Sequence, residues 1–401
     1  MNDGSKASPV APPAPAPAAA SRLKHLLLIV VAIAALYGQA ARFDFVTYDD
    51  YDLIYQNGEF LSSFSHVASA FTTHVFASHH AESVYYRPVL MVSFILEYHL
   101  WGLNPLGYHL VNILLHVVTT LLVFLLIEKL AGSTWIALAG GILFAIHPVQ
   151  TESVAWIAGR NDLLLGLFVA VMIYFYVSSG ERSGNSTRSF ALSVLFFALA
   201  LFTKEAAAFY LLLLPLFDLC LNHATARTLF SRRSLLRYAC MAGVLALYLS
   251  IRIGIFGDVI GAEKLYGGRP VLHRLQEVPA IVMEYCLLLI VPLRLCVAHP
   301  LNQLLWLRTP WSWLAGGVLT GLAAVIWFTW RRDRIACFGL LWFAVGLLPT
   351  LGIIPVAVPI LEHRMYVPMV GFVLAAARGG YLAFGPESRV RMLRFAPALA
   401  I

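Results

Sequence analysis

The chain has 401 residues, of which 60% are hydrophobic and only 12% are charged, and its formal net charge is +7. Soluble domains are about 45–50% apolar and about 25% charged, so this composition excludes an ordinary soluble protein. The apolar residues form blocks close to the roughly 20 residues that cross a bilayer. No basic stripe with interleaved aromatics lies outside the short loops, which argues against nucleic acid as a partner. The five cysteines lie in or beside apolar segments without a CxxC pair, and they predict neither a disulfide framework nor a zinc site.

The N-terminal part predicts a flexible tail followed by a membrane crossing. Residues 7–20 are Ala/Pro-rich, and proline disfavours a helix, so we expect a flexible cytoplasmic tail over residues 1–21. The apolar run from Leu26 to Ala41 has no convincing cleavage site after it, which predicts an uncleaved first crossing.

Residues 42–107 form the largest polar stretch of the chain. They contain seven acids against two bases, together with five histidines and many aromatics. Their apolar spacing predicts short amphipathic helices that lie on the membrane surface.

The remainder predicts a single all-α transmembrane domain over residues 22–401, with about ten to twelve crossings in total. Further crossings are expected at about 108–127, 134–156, 162–178, 189–203, 206–221, 235–256, 311–330, 335–353 and 364–384, with a last one from about Phe395. The apolar stretch 279–298 contains Pro279 and Pro292, and it could be a crossing, a re-entrant hairpin or an interfacial helix.

The basic residues predict the orientation. Fifteen of them fall in one set of short loops, which the positive-inside rule places in the cytoplasm: Arg22, Lys24, Lys129, Arg182, Arg188, Arg227, Arg232, Arg233, Arg237, Arg331, Arg332, Arg334, Arg389, Arg391 and Arg394. The acidic stretch 42–107 and a second segment, 257–310, then face outward. That arrangement favours a re-entrant or interfacial 279–298.

Ionisable residues collect on the predicted outward side, where their cost makes each a functional candidate. They stand in four short turns: His147-Pro-Val-Gln-Thr-Glu152, Arg160-Asn-Asp162, Lys204-Glu205 and Glu362-His363-Arg364. Four such turns at one depth predict a polar cavity at the outer membrane boundary.

The predicted cavity contains groups of both charges. Arg87, Arg160, Lys204 and Arg364 are cations suited to a phosphate or diphosphate at headgroup depth. Asp49 or Asp50 could accept a proton from a hydroxyl or ligate a metal. Adjacent residues point in different directions, so we expect one to face the cavity and the other to anchor the loop, with a slight preference for Asp50 as the cavity-facing acid.

An ordered series of motifs from Phe43 to Tyr366 resembles a known group. It comprises Phe45-Val-Thr-Tyr-Asp49-Asp50, Tyr86-Arg87-Pro88, the segment from Gly102 to His116, the segment from His147 to Asp162, Lys204-Glu205, and Glu362-His363-Arg364-Met-Tyr366-Val-Pro368. This series is similar to the GT-C superfamily of membrane glycosyltransferases, and within it to the transmembrane and tetratricopeptide-repeat-containing protein O-mannosyltransferases and their bacterial relatives. No 34-residue helical repeat occurs in the sequence, which leaves open whether the acceptor is a protein and whether the chain is a short relative or a fragment.

The resemblance implies a polyprenyl-phosphate sugar as the donor and inverting transfer of mannose or another hexose. It implies a catalytic acid at Asp49 or Asp50 and a donor phosphate held by Arg364. The next candidates for binding the phosphate are Arg87, Arg160 and Lys204. The other residues expected to line the cavity are His147, Glu152, Asp162, Glu205, Glu362, His363 and Tyr366. We expect a bacterial inner-membrane protein whose site faces the periplasm or exterior, with membrane lipid around it and a protein, lipid or glycan as acceptor.

Two points stay open in this interpretation. The histidines show no complete ligand set for a metal, so no cofactor is certain, but a divalent metal stays possible. The competing function is transport or flipping of lipid-linked sugars, which is disfavoured because no inverted repeat is visible and the polar groups gather at one face.

Overall fold

The fold comes from a computed structural model, which describes residues 19–76, 85–180, 185–222, 225–257, 270–300, 304–308, 310–352, 358 and 360–385. The expected tail and the expected last crossing from Phe395 lie almost wholly or wholly outside these residues. Every regular element in the described residues is helical, apart from an isolated antiparallel bridge between His299 and Ile360. The predicted all-α membrane bundle is confirmed.

Sixteen α-helices are described, and they are numbered here in chain order. They are α1 (Ala19–Tyr37), α2 (Gly58–Leu61), α3 (His66–Ala70), α4 (Pro88–Trp101), α5 (Pro105–Ala131), α6 (Thr134–Ile146), α7 (Thr151–Ala155), α8 (Arg160–Gly180), α9 (Ser186–Thr203), α10 (Leu213–Cys220), α11 (Ala226–Leu229), α12 (Arg232–Phe256), α13 (Val271–Ile290), α14 (Trp311–Arg332), α15 (Arg334–Leu347) and α16 (Tyr366–Phe384). Helix ends follow local chemistry, as at Asn104, whose side chain accepts a hydrogen bond from the Leu106 N–H just before Pro105 begins α5.

Seven helices of the described chain are long and apolar enough to cross a membrane, and an eighth crossing results if the bent pair α6–α7 counts as one. This number is lower than the ten to twelve expected, for local reasons. The pair α6–α7 bends by 53° at its break, where Pro148 cannot donate a helical hydrogen bond. The expected crossing at 206–221 starts as a 3-10 helix over Glu205–Leu212 and becomes α-helical only at Leu213.

Side-chain contacts define the two ends of the bundle. At one end, Arg22 at the start of α1 pairs with Glu128 near the end of α5, at 2.7 Å. At the same end of the bundle, Arg378 in the C-terminal half of α16 donates to Asp333, which lies between α14 and α15, at 2.8 Å. The groups proposed to face outward lie at the opposite helix ends. The structure thus separates a basic end from the end that carries the candidate site.

The polar stretch 42–107 folds as expected into short helices over its described residues. A π-helical turn at Tyr51–Tyr55 precedes α2 and α3, and α4 is apolar along nearly its whole length. Buried side chains of this stretch, including Leu53, Leu61 and Phe94, form a small hydrophobic core separate from that of the bundle. This core holds the stretch against the end of the bundle on which the site lies.

Helices α15 and α16 approach each other closely at two glycines. A Cβ atom on Gly371 would lie 2.4 Å from the Gly339 carbonyl oxygen and 2.6 Å from the Phe343 nitrogen. Both neighbours are backbone atoms, so the contact could be relieved only by moving the helices apart. Small residues at helix crossings permit such close packing in membranes.

Candidate active site

A buried ion pair lies at the centre of the candidate site. The Lys204 ammonium donates to both carboxylate oxygens of Asp162, at 2.7 and 2.8 Å. Lys204 follows directly after α9, where the helix ends, and Asp162 lies in the first turn of α8. The pair joins the facing ends of two adjacent helices and balances two charges that would be costly to bury singly.

The turn before α16 is attached to this pair through His363. Its Nε2 lies 4.0 Å from Asp162, and its Nδ1 lies 2.9 Å from a carboxylate oxygen of Glu152. The backbone N–H of His363 donates to the other Glu152 oxygen at 2.7 Å. Glu152 lies in α7, so the bent α6–α7 segment positions a carboxylate against the 362–365 turn.

Arg364 lies half-buried in the same turn. Its Nη1 donates to the Val358 carbonyl oxygen at 2.7 Å. The field of its charge acts on both Glu152 and Lys204. Arginine binds phosphate groups through paired N–H donors, and the position of Arg364 among these charged groups makes it a candidate phosphate ligand.

Asp49 and Arg87 bring the polar stretch 42–107 into the site. Arg87 lies immediately before α4 and is 3.5 Å from Glu205, and its charge also acts on Asp49 and Asp162. Asp49 is half-buried, and burial raises the pKa of its carboxyl group although Arg87 opposes the shift. Asp49, Arg87 and Glu205 therefore form one wall of the site beside the Lys204–Asp162 pair.

Asp50 has a different position, which favours an anchoring role over the cavity-facing role that the sequence slightly preferred for it. Only 1% of Asp50 is exposed, and its two oxygens accept hydrogen bonds from the backbone N–H groups of Ala158 at 2.8 Å and Val46 at 3.3 Å. Burial raises its pKa to about 6, and the two backbone hydrogen bonds oppose the shift. Asp50 anchors the first loop to the segment before α8, whereas Asp49 lies within the field of Arg87.

Arg160 does not have the place expected of a phosphate ligand. Its side chain is fully buried, and its three nitrogens donate to Asn112 at 2.8 Å, to the Tyr108 carbonyl at 2.7 Å and to Glu97. Because this set uses every nitrogen inside a closed interface, Arg160 fastens α4 and α5 to α8.

His147 and Tyr366 are also structural and do not line a cavity. His147 Nδ1 accepts from the Val149 N–H at 3.2 Å while Nε2 donates to the Leu289 carbonyl at 3.0 Å, so both ring nitrogens are used. Tyr366 is fully buried, and its hydroxyl lies 2.9 Å from His116 Nδ1. The two residues hold the α6–α7 bend and the start of α16 in place.

Glu362 belongs to a neighbouring cluster. Its Oε1 accepts from the backbone N–H of Cys296 and lies 3.2 Å from His299 Nε2. The other ring nitrogen of His299 lies 3.4 Å from Glu284. Sequence reasoning missed His299 and Glu284, because neither stands in a motif and only the fold brings them to Glu362.

The charged cluster is closely packed in this structure. A cavity of about 430 Å³ lies instead beside α13, where its lining includes His273, Glu277 and Trp306. None of the site residues named above lines that cavity. The predicted gathering of charged groups is present among the described residues.

Comparison with known proteins gives one family match and several curated relatives. Residues 87–252 match the family model of dolichyl-phosphate-mannose-protein mannosyltransferases. The chain is 28% identical over 302 residues to the protein O-mannosyl-transferase F38B6.6 of Caenorhabditis elegans, covering 73% of this chain and 42% of that protein. It is 30% identical over 249 residues to human protein O-mannosyl-transferase TMTC2, covering 59% of this chain and 28% of that protein. The chain thus spans less than half the length of these curated relatives.

Two solved structures share the fold. ArnT of Cupriavidus metallidurans, bound to undecaprenyl phosphate, superposes with a TM-score of 0.53 at 13% identity, covering 94% of this chain and 63% of that one. The oligosaccharyltransferase AglB of Archaeoglobus fulgidus, in complex with an inhibitory peptide and a dolichol-phosphate, gives 0.50 at 12% identity, covering 95% and 54%. This chain is a multi-pass membrane protein that shares the fold of these two structures and is similar in sequence to protein O-mannosyl-transferases.

Proposed function

We propose that this protein transfers a hexose, with mannose as the first candidate, from a polyprenyl-phosphate donor to an acceptor hydroxyl. The observation that carries the proposal is the meeting of six charged groups from six separate segments at one end of the bundle. These groups are Asp49, Arg87, Glu152, Asp162, Lys204 and Arg364. Ionisable groups are costly at membrane depth, so an assembly of this size indicates a site for a charged substrate.

The chemistry assigned to the site is inverting transfer. The Asp49 carboxylate takes the proton of the acceptor hydroxyl while that oxygen forms a bond to the anomeric carbon. The bond from that carbon to the phosphate oxygen breaks on the opposite face, and the lipid phosphate leaves with the electron pair. Arg364 and Arg87 stabilise the charge on the departing phosphate.

The remaining charged groups compensate charge at the site or hold the backbone beside Arg364 and Asp49. Lys204 is neutralised by Asp162, so it contributes a fixed dipole more than a free cation. Glu152 holds the backbone of His363 and thereby sets the position of the next residue, Arg364. Asp50 holds the backbone beside Asp49 in the same manner.

The direction of the site and the acceptor are part of the same proposal. The candidate site lies at the end opposite the basic one, so the positive-inside rule places it on the outer face, which is the periplasmic face of a bacterial inner membrane. The relatives are named protein O-mannosyl-transferases, which makes a protein hydroxyl the first acceptor to test and a lipid or glycan the next.

The test uses the purified chain in lipid nanodiscs with radiolabelled polyprenyl-phosphate mannose, glucose and other hexoses. Peptide, lipid and glycan acceptors are supplied separately, and transfer and sugar release are counted. We expect acceptor-dependent transfer from one donor, and loss of transfer in Asp49→Asn. Movement of intact donor across a proteoliposome membrane, without cleavage from any donor, would identify a flippase and overturn the proposal.

A further inference from the structure

A second group of chemically reactive side chains lies next to the candidate site but outside it. Cys296 and His299 are in the extended segment after α13, and Glu362 opens the turn before α16. The Cys296 sulfur lies 3.4 Å from His299 Nε2, and the same nitrogen lies 3.2 Å from Glu362 Oε1. The three atoms all lie within 4.8 Å of one another.

Two of these separations match edges of a tetrahedral zinc site. Zinc binds cysteine sulfur at about 2.3 Å, histidine nitrogen at about 2.0–2.1 Å and carboxylate oxygen at about 2.0–2.2 Å. At tetrahedral angles these lengths give a sulfur–nitrogen edge of about 3.5 Å and a nitrogen–oxygen edge of about 3.3–3.5 Å. The observed 3.4 and 3.2 Å are close to these two edges, and the third separation, between the Cys296 sulfur and the Glu362 oxygen, is below 4.8 Å.

The surroundings of His299 have the form of a metal-binding histidine. Its Nδ1, the nitrogen that does not face Cys296, lies 3.4 Å from Glu284 Oε1. The other oxygen of Glu284 accepts a hydrogen bond from Trp306 Nε1 at 2.7 Å, which fixes the carboxylate. Ligating histidines almost always donate their second ring N–H to a carboxylate, a backbone carbonyl or water, which sets the tautomer and the ring orientation.

The three side chains are held in place, and one of them gives access from outside the protein. His299 and Glu362 are buried, at 7% and 3% exposed, whereas Cys296 is exposed and offers an entry path. The His299 N–H donates to the Ile360 carbonyl at 3.1 Å, so the backbone already joins the two segments. A metal ion would bind them through side chains as well.

We propose that Cys296, His299 and Glu362 bind one Zn²⁺ ion, with Cys296 as thiolate and His299 as neutral imidazole. The three residues leave a fourth coordination position for water or another exchangeable ligand, as in sites with three protein ligands. The ion fixes Glu362, which directly precedes His363 and Arg364 of the candidate active site. The Zn²⁺ site is independent of the proposed sugar transfer, because binding is measured without donor or acceptor.

The experiment measures metal content directly. The full chain, purified without a polyhistidine tag, is equilibrated with ZnCl₂ and desalted. The number of zinc ions per chain is then measured by mass spectrometry. We expect one Zn²⁺ per chain, removal by a chelator, and loss of zinc in Cys296→Ala and His299→Ala. Cys240→Ala, which changes another exposed cysteine, is the matched control and should retain one Zn²⁺.

Cobalt substitution covers the case in which a variant folds poorly. The unaltered chain loaded with Co²⁺ should show thiolate-to-cobalt charge-transfer absorption, and zinc should abolish it. Substoichiometric zinc in the unaltered chain, or full zinc content in folded Cys296→Ala and His299→Ala proteins, would overturn the site. The cluster would then be an ion-pair network in which a protonated His299 joins Glu284 and Glu362.

Discussion

Asp49 and Asp50 are neighbours in the chain, but their carboxylates have different surroundings, and this difference gives the first prediction. Asp49→Asn should lower turnover about 10²–10⁴-fold, because the amide cannot accept the hydroxyl proton. Asp50→Asn should lower the melting temperature, because an amide has one acceptor oxygen for the two backbone N–H groups of Val46 and Ala158. Turnover and thermal unfolding of both purified variants are compared with the unaltered chain.

The two variants control each other. Donor binding, followed with a non-hydrolysable donor analogue, should survive in Asp49→Asn since the arginines are unchanged. Near-normal turnover in a folded Asp49→Asn protein would remove the base from this position. The acids to examine next would be Asp52 and Glu152.

The second prediction is a pH dependence of the reaction. Burial raises the pKa of Asp49, and a general base works only when ionised. Activity should therefore fall with decreasing pH at a value above the ordinary aspartate pKa of about 3.9. The pH profile of kcat/KM measures this limb, and a limb at or below that value would show that an exposed, unperturbed carboxylate is the base.

The third prediction separates two arginines that look equivalent in the sequence. Arg364→Ala should strongly raise KM for the donor and lower kcat/KM, and Arg364→Lys should be intermediate, because lysine cannot make a bidentate contact with phosphate. Arg160→Ala should instead impair folding, because it leaves Glu97 buried and unpaired. Donor kinetics and thermal unfolding distinguish the two effects. Unchanged donor kinetics in folded Arg364→Ala would contradict the assignment.

The sequence predicted several of the charged residues that gather at the site, but it could not predict the position of every one or their roles. Motif order and the cost of charge in membranes were enough for Asp49, Arg87, Lys204 and Arg364. The role of Arg160 depends on partners 48 and 63 residues away, Asn112 and Glu97, and chain spacing does not report such pairs. The choice between Asp49 and Asp50 depended on which carboxylate meets the Ala158 N–H, which is likewise a long-range contact.

At the scale of helices, the crossing of α15 and α16 gives the fourth prediction. Gly371→Ala places a Cβ against the backbone of α15, and overpacking of this kind costs about 1–3 kcal/mol. Gly379→Ala is the control in the same helix, because its added Cβ meets nothing within 4 Å. Thermal unfolding in detergent should show a clear loss for Gly371→Ala and little change for Gly379→Ala. Equal melting temperatures would mean that the helices separate without cost.

Helices of continuous apolar character were predicted well, and broken ones were not. Helices α5, α8, α9, α12 and α14 follow the expected crossings closely, because an unbroken apolar run leaves the backbone no alternative in a membrane. Hydropathy averages over breaks, so it did not report the bend at His147 or the 3-10 start at Glu205. Both breaks carry site residues, which is where a departure from regular helix is expected.

At the scale of the whole molecule, charge and chemistry are separated along the bundle axis. Arg22, Arg232 and Arg378 lie at helix ends of one side, and the charged cluster lies at the other. The distribution of basic residues along the sequence predicted this asymmetry, because the positive-inside rule needs only the charges of the loops. The contacts between residues that are distant in sequence, such as that of His363 with Glu152, could be identified only from the folded structure.

The last prediction tests which side of the membrane carries the site. Ser62 is exposed in the polar stretch before α4, and Thr225 is exposed near the basic start of α12. Ser62→Cys should react with a membrane-impermeant maleimide added outside intact cells, whereas Thr225→Cys should react only after the membrane is breached. Labelling is measured as the increase over the unaltered chain, whose exposed Cys240 and Cys296 set the background. The physical reason is that basic loops resist translocation, while the acidic stretch does not. The reverse pattern would place Asp49 and Arg364 in the cytoplasm, and the donor would then have to be presented from that side.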